Sequence, residues 1–303
     1  MSLKQIKSKI KAVNKTRQVA KAMEAVSAAK MRRSQDKALQ LRPYAVAAFS
    51  MLYRVSQEAK KHKLLLEKEG GKTLAIVIVS DRGLAGNLNS GVLRKVVSYF
   101  KEHNLTAENT SIIVHGRKAA DFFGKRNYKI VYNESSKADY PDIVEIEKIV
   151  EISKELFLSD EYKEVLVAYP NFISTFEQVP VLHKVFPIHE EEMLEVIKGV
   201  GKGKNYKEEI YEKRGEKVPY VFEPDEDVLL DTILTYLAKV MLYHALLEAK
   251  ASEFSARMVA MKNAQDKAEE ISHDLTVFFN KVRQSTITRE VSEIIGGIEA
   301  LKV

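Results

Sequence analysis

The chain has 303 residues, 45% of them hydrophobic, and a formal net charge of +6. It contains no cysteine and no tryptophan, which excludes disulfides, thiolate zinc sites, iron–sulfur clusters and cysteine nucleophiles. No uninterrupted apolar run nears the ~20 residues of a membrane helix, so a soluble, intracellular chain of more than one part is expected.

Residues 1–42 hold neither glycine nor proline. Their apolar positions fall at Leu3, Ile6, Ile10, Val13, Ala20, Met23 and Ser27, steps that line one helical face. A coiled-coil helix over 1–60 is predicted, with Pro43 kinking or restarting it. The N-terminus is basic and acid-poor like a transit peptide, but its helical spacing continues without a break and assigns it to the mature protein. These 42 residues carry 12 Lys+Arg against Glu24 and Asp36, a net +10 that leaves −4 for the remainder. The basic helix, with Lys4, Lys7, Lys11, Arg32 and Arg33, lacks aromatic residues before Tyr44, so an acidic protein surface is a better partner for it than nucleic acid.

The middle, 72–222, alternates in period. The Ile/Val-rich run Thr73–Val79 reads as a buried strand. Helices are expected over Ser90–His103, Lys118–Lys125 and Ile143–Leu158, and strands at Ser111–Val114, Tyr128–Tyr132, Val165–Ala168 and Val179–Phe186. Alternation of this kind implies βαβ units and a mostly parallel, Rossmann-like α/β sheet. The Lys-, Glu- and Gly-rich stretch 189–217 reads as a mobile insertion.

Residues 225–295 are again free of glycine and proline. Asp225 is a plausible helix cap. The seam runs Leu230, Leu234, Leu237, Met241, His244, Leu247, Ala251, Phe254, Met258, Met261, Gln265, Ala268, Ile271, Leu275, Phe279 and Val282, a sustained coiled-coil signal. At ~1.5 Å per residue such a helix is on the order of 100 Å long and cannot bury its stripe on itself. The N-terminal helix is the expected antiparallel partner; a homodimeric coil on the same seam is the alternative. The fold class is therefore α/β plus a long coiled coil: an antiparallel pair of terminal helices (1–60 and 225–303) flanking a small α/β domain.

Candidate chemistry is sparse. Ser80-Asp81-Arg82-Gly83-Leu84-Ala85-Gly86-Asn87-Leu88-Asn89 sits where α/β proteins hold phosphate, but its glycine spacing matches neither common nucleotide fingerprint. The seven histidines form no zincin signature, and no serine stands in a nucleophile elbow. His244 on the seam reads as a packed polar residue, and Glu190-Glu191-Glu192 as a solvated charge run. No catalytic residue, metal site or cofactor is expected.

The end sequences resemble those of the gamma subunit of rotary ATP synthases. The residues are Leu3-Lys4-Gln5-Ile6-Lys7, Thr16 to Glu24 and Ala28-Ala29-Lys30-Met31-Arg32 at the start. At the end they are Ala251-Ser252-Glu253, Ala256 to Met261 and Asn280 to Thr288. The central Ser80-Asp81-Arg82-Gly83-Leu84 is similar too, although the family loop usually continues Cys-Gly-Gly-Leu-Asn and the family often has Gln where Arg289 stands. The resemblance implies a central-stalk rotor, one copy per complex, that couples transmembrane proton flow to three catalytic beta subunits and is not itself catalytic. Its partners would be three alpha and three beta subunits, the epsilon subunit and the membrane c-ring, with no nucleic acid. Membrane association would come only through the complex, as a peripheral subunit on the cytoplasmic face of a bacterial inner membrane. By resemblance, Met23, Arg257, Arg283, Gln284, Thr288 and Glu293 fall at rotor–stator contact or coupling positions. Val291, Ile294, Ile295, Ile298 and Leu301 would form an apolar tip in a hydrophobic sleeve. The competing readings are a coiled-coil scaffold or nucleic-acid binder using the basic helix, and an α/β enzyme with helical arms.

Overall fold

A computed structural model describes residues 2–59, 62–135, 141–189 and 226–300. The stretch 190–217, the cap at Asp225 and the tip residue Leu301 lie outside the described residues. The chain divides into two compact units, 28–256 and the pair of ends 1–27 with 257–303.

The larger unit is built on a five-stranded sheet. Its strands are β1 (Lys72–Ile78), β2 (Thr110–His115), β3 (Lys129–Glu134), β4 (Tyr162–Ser174) and β5 (Glu177–Phe186), in the order β3-β2-β1-β4-β5. All neighbours are parallel except β4 and β5, which form an antiparallel hairpin. The helices of the sandwich are α2 (Leu88–Glu102), α3 (Arg117–Gly124) and α4 (Ile143–Leu158). The continuous apolar character of β1 follows from its central place. Ala75, Val77 and Val79 pack with Val92, Val96 and Phe100 of α2 and Phe123 of α3. The alternate residues Leu74, Ile76 and Ile78 belong to the opposite core, with Ile149 and Phe157 of α4. Side chains that alternate across a strand buried on both faces must all be apolar.

That second core also receives the two long helices, α1 (Leu3–Ala59) and α5 (Glu226–Ala300). Ala38, Leu41 and Val46 of α1 join Leu230, Leu234, Leu237, Leu242 and Leu246 of α5 in it. Of the two outcomes expected at Pro43, a kink or a restart, the restart does not occur: α1 runs through the proline. Buried residues on both sides of it are anchored in one core, and this outweighs one missing backbone hydrogen bond. From His244 to Ser255 every residue of α5 is buried, as expected of a helix enclosed on all sides. By length and composition α5 could cross a membrane, but 56% of its most apolar window is buried inside the protein. β4 is much longer than the expected Val165–Ala168. Beyond Ala168 it leaves β1 behind and pairs only with β5. Pro170, which reads as a breaker, is tolerated because that edge has no strand neighbour.

The smaller unit is the paired ends. On α1 the expected Leu3, Ile6, Ile10, Val13, Ala20, Met23 and Ser27 are buried or half-buried, and Asn14, Arg17 and Glu24 are half-buried beside them. On α5 the inward set is Met258, Met261, Gln265, Ala268, Ser272, Leu275, Phe279, Val282 and Thr286. Arg17 contacts Glu269 at 3.1 Å, and Ser272 Oγ donates to Asn14 Oδ1 at 3.1 Å. Numbers rise on one helix as they fall on the other, so the two helices are antiparallel, with the heptad spacing of a coiled coil. Ile271 faces outward and Ser272 takes the seam position, because its hydroxyl has Asn14 to bond. From Ile287 to Ile298 every residue of α5 is exposed.

Candidate functional site

Three places in the fold could carry function: the crevice at the sheet's switch point, the polar stretch of α5, and the surfaces of the paired ends. In a doubly wound sheet a ligand sits beyond the carboxyl ends of the strands, where the strand order reverses. Here that point lies between β1 and β4. The loop after β1 is tied down by its own side chains. Asn89 Nδ2 donates to Ser80 Oγ at 2.7 Å, and Ser80 N–H donates to Asn89 Oδ1 at 3.0 Å. Asp81 Oδ1 accepts the Arg117 N–H at 2.9 Å, joining the loop to the start of α3. The crevice is filled by α5: Leu246, Ala249, Lys250 and Glu253 close it against Ser80, Leu88, His115 and Pro170, leaving about 10 Å³. That is room for one water. The loop shapes and packs; it does not open onto a nucleotide-sized space.

α5 brings an unusual set of polar groups into this core: His244, Glu248, Lys250, Ser252, Glu253 and Ser255 are all buried. Lys250 Nζ pairs with Glu253 Oε2 at 3.3 Å. Ser252 Oγ donates to Pro170 O at 2.9 Å, Ser255 Oγ to Thr175 O at 2.6 Å, and the Phe172 N–H to Glu248 Oε2 at 2.9 Å. On the sheet side, His115 Nε2 lies 3.5 Å from Glu145 Oε2. Burial pushes the Glu145 carboxyl up, but the hydrogen bond and charge of His115 outweigh it and hold the group below its ordinary value. His244, packed as expected, is driven down to about 3 by burial and by His183. It is therefore a neutral imidazole, and its 3.7 Å approach to Glu248 is a contact rather than an ion pair. Burial raises Glu248 to about 7, against the pull of the Phe172 N–H. The sequence holds a signal for this stretch, because polar residues from Glu248 to Ser255 occur on every side of a helix otherwise apolar enough to be core.

These two groups fix a pH dependence. The raised Glu248 contributes stability that is full below its ordinary 4.5 and lost as pH rises through about 7. The lowered His244 contributes stability present above its ordinary 6.5 and lost as pH falls toward 3. Between about 4.5 and 6.5 the two slopes oppose and stability is flat. Glu248→Gln keeps an acceptor for Phe172 and removes the ionisation. It is expected to gain on the wild type by on the order of 3 kcal/mol between pH 5 and pH 8, read by urea unfolding of the full chain at both values. An unchanged difference would contradict a buried, neutral Glu248.

The paired ends carry the remaining candidates. Met23 is half-buried beside the seam, and Arg257 is buried. Arg283, Gln284, Thr288 and Glu293 are exposed on the far part of α5. Thr288 Oγ1 donates to the Gln284 carbonyl at 3.0 Å, and Arg289 lies 3.6 Å from Glu293. Val291, Ile294, Ile295 and Ile298 stand exposed on the overhang, an apolar surface on a single helix. Lys4, Lys7 and Lys11 line one shallow groove on α1 together with Lys15, Asn14 and Gln18, while Arg32 and Arg33 are exposed in the other unit. Thr288, Glu293 and the apolar tip residues thus share the exposed far part of α5, and Lys4, Lys7 and Lys11 share one groove on α1. No cluster of potential metal ligands occurs among the described residues.

The chain matches the ATP synthase family over residues 2–301. It is 35% identical over 300 residues to the ATP synthase gamma chain of Brevibacillus brevis, covering 98% of both chains. To the ATP synthase gamma chain of Staphylococcus saprophyticus it is 34% identical over 303 residues, covering 99% of both. Among solved structures it is similar to a chain in the cryo-EM structure of the Euglena gracilis mitochondrial ATP synthase OSCP/F1/c-ring assembly. That match has a TM-score of 0.64 at 18% identity and covers 99% of this chain and 94% of the other. A chain of the Tetrahymena thermophila mitochondrial central stalk and c-ring matches with a TM-score of 0.59 at 21% identity, covering 81% and 99%.

Proposed function

Because the chain belongs to the ATP synthase gamma-chain family, we propose that its paired ends are the central rotor shaft and that it acts mechanically. The single observation that carries this reading is the antiparallel pair in the smaller unit, with α5 continuing past α1 as an exposed apolar tip. Two strands locked along a seam resist bending and twisting better than either helix alone. The ATP chemistry belongs to other subunits in this reading: three beta subunits, alternating with three alpha subunits, surround the shaft. The epsilon subunit and the membrane c-ring sit at the foot, and proton flow turns ring and shaft together. A shaft that presses differently on each beta subunit gives each a different affinity, a coupling free energy carried by a moving partner. The +10 of the first helix faces acidic stator loops, the tip Val291, Ile294, Ile295, Ile298 and Leu301 turns in an apolar sleeve, and Met23, Arg257, Arg283, Gln284, Thr288 and Glu293 meet the stator. The complex lies on the cytoplasmic face of a bacterial inner membrane, one copy of this chain in each.

Native mass spectrometry of the complex purified through this chain tests the assignment. Three copies each of two larger subunits per copy of this chain are expected; recovery of the chain alone, or with nucleic acid, would overturn it. Met23→Lys tests the contact role. The half-buried site lets a lysine stem pack and its ammonium reach water, so the unfolding free energy of the full chain should fall by only about 1 kcal/mol. Proton pumping per ATP hydrolysed should fall in the assembled complex. Wild-type pumping would remove Met23 from the contact set.

A further inference from the structure

The end of the β4–β5 hairpin is held to α5 by three hydrogen bonds that neither the sheet nor the apolar core requires. β1 stops pairing with β4 at Ala168, so the backbone from Pro170 onward has β5 on one side and no strand on the other. Polar side chains from α5 supply partners instead. Ser252 Oγ donates to Pro170 O, Glu248 Oε2 accepts the Phe172 N–H, and Ser255 Oγ donates to Thr175 O at the turn. Gln178 Nε2, across the hairpin on β5, donates to Ser255 Oγ at 3.4 Å. Glu248, Ser252 and Ser255 occupy one face of α5, four and three residues apart, as neighbours on a helix surface do. They grip the hairpin at two points on a strand and one in a turn.

We propose that Glu248, Ser252 and Ser255 are positioning residues that clamp α5 to the end of the β4–β5 hairpin, so that shaft helix and sheet turn as one body at this joint. The proposal rests on the rotor reading. Apolar burial is non-directional, so it rewards contact area rather than one particular rotation of the helix. Three hydrogen bonds, two to strand positions and one to the turn, add a requirement on orientation as well as distance, because each weakens steeply when bent. The surrounding apolar residues hold the helix in the core, and the clamp sets its rotation about its own axis. Ser252 and Ser255 are fully buried, and the bond from Ser252 to Pro170 O is itself buried, so water does not readily replace it once broken.

The test uses the assembled complex in liposomes, with Ser252→Ala/Ser255→Ala compared with Ser252→Thr/Ser255→Thr. In the alanine variant the Pro170–Phe176 backbone should exchange its amides about 30-fold faster, the effect of losing two bonds of ~1 kcal/mol each. ATP hydrolysis without a proton gradient should stay near wild type, while pumping against a rising gradient should fail at a lower gradient. The threonine variant, which keeps both hydroxyls, should restore pumping. If the double variant does not assemble, Ser255→Ala alone is expected to speed exchange about 5-fold. Unchanged exchange would overturn the clamp, and so would faster exchange with wild-type pumping at every gradient. A wild-type chain that does not assemble with the catalytic subunits would instead overturn the rotor reading.

Discussion

Gly116→Ala is expected to unfold the α/β unit or prevent it from forming. Gly116 follows β2 and caps α3 with φ +107°, a backbone conformation that side chains with a Cβ rarely adopt, and a Cβ there would lie 2.0 Å from the Val79 carbonyl oxygen. That oxygen cannot withdraw. The Val79 N–H donates to His115 O, and the Gly116 N–H donates to Glu134 O, both at 2.9 Å, so the ends of β1, β2 and β3 are tied together at this point. The backbone strain alone costs about 1–3 kcal/mol. Adding displacement of the central strand, the total reaches a large part of the ~5–15 kcal/mol that holds a domain folded. Thermal unfolding of the full chain should show the main transition lowered by more than ten degrees or lost. Gly124→Ala is the control: nothing lies within 4 Å of a Cβ there, and alanine at the end of α3 should be neutral or slightly stabilising. Equal melting of the two variants would refute the close approach of β1 to Gly116.

Ile6→Asp is the second large effect, and it acts on the paired ends. Ile6 is fully buried, and a two-helix seam has few other apolar residues to compensate. The substitution removes a large side chain, worth about 2–5 kcal/mol, and places a carboxylate where isoleucine excluded water. The start of α1 should separate from α5 while the α/β unit stays folded. Hydrogen exchange over 3–13 and 275–286 should approach unprotected rates, and exchange in β1 and β2 should be unchanged. Wild-type protection at both ends would contradict the seam. In the complex, such a shaft should hydrolyse ATP without pumping protons.

Much of this architecture is legible in the amino-acid order, for identifiable reasons. α4 spans Ile143–Leu158 as its 3.6-residue pattern requires, and β1 reads as buried because a central strand must be apolar on both faces. The terminal seams are legible because heptad spacing is sustained over many turns. What is not legible depends on neighbours distant in sequence. Pro43 and Pro170 read as breakers, yet one sits in a helix anchored on both sides and the other on a strand edge that α5 covers. Ser272 replaces Ile271 on the seam because Asn14, far away in the chain, offers it a bond. The polar run Glu248–Ser255 becomes intelligible only once the hairpin it grips is known. The site itself left little chemical signature, because a shaft works through shape, stiffness and surface charge. The motifs at the two ends carried the functional reading, and composition alone carried none of it.

The two ends of one chain lie side by side and antiparallel. The absence of native cysteine allows a direct measurement of this arrangement. Asn14 and Ser272 are in hydrogen-bond contact, so Asn14→Cys/Ser272→Cys should close a disulfide on mild oxidation. Asn14→Cys/Thr286→Cys, whose second site lies about 21 Å further along α5, should not. The result expected is a fast-migrating, internally linked monomer for the first pair alone. Covalent dimers, or thiols that stay free in both pairs, would contradict it.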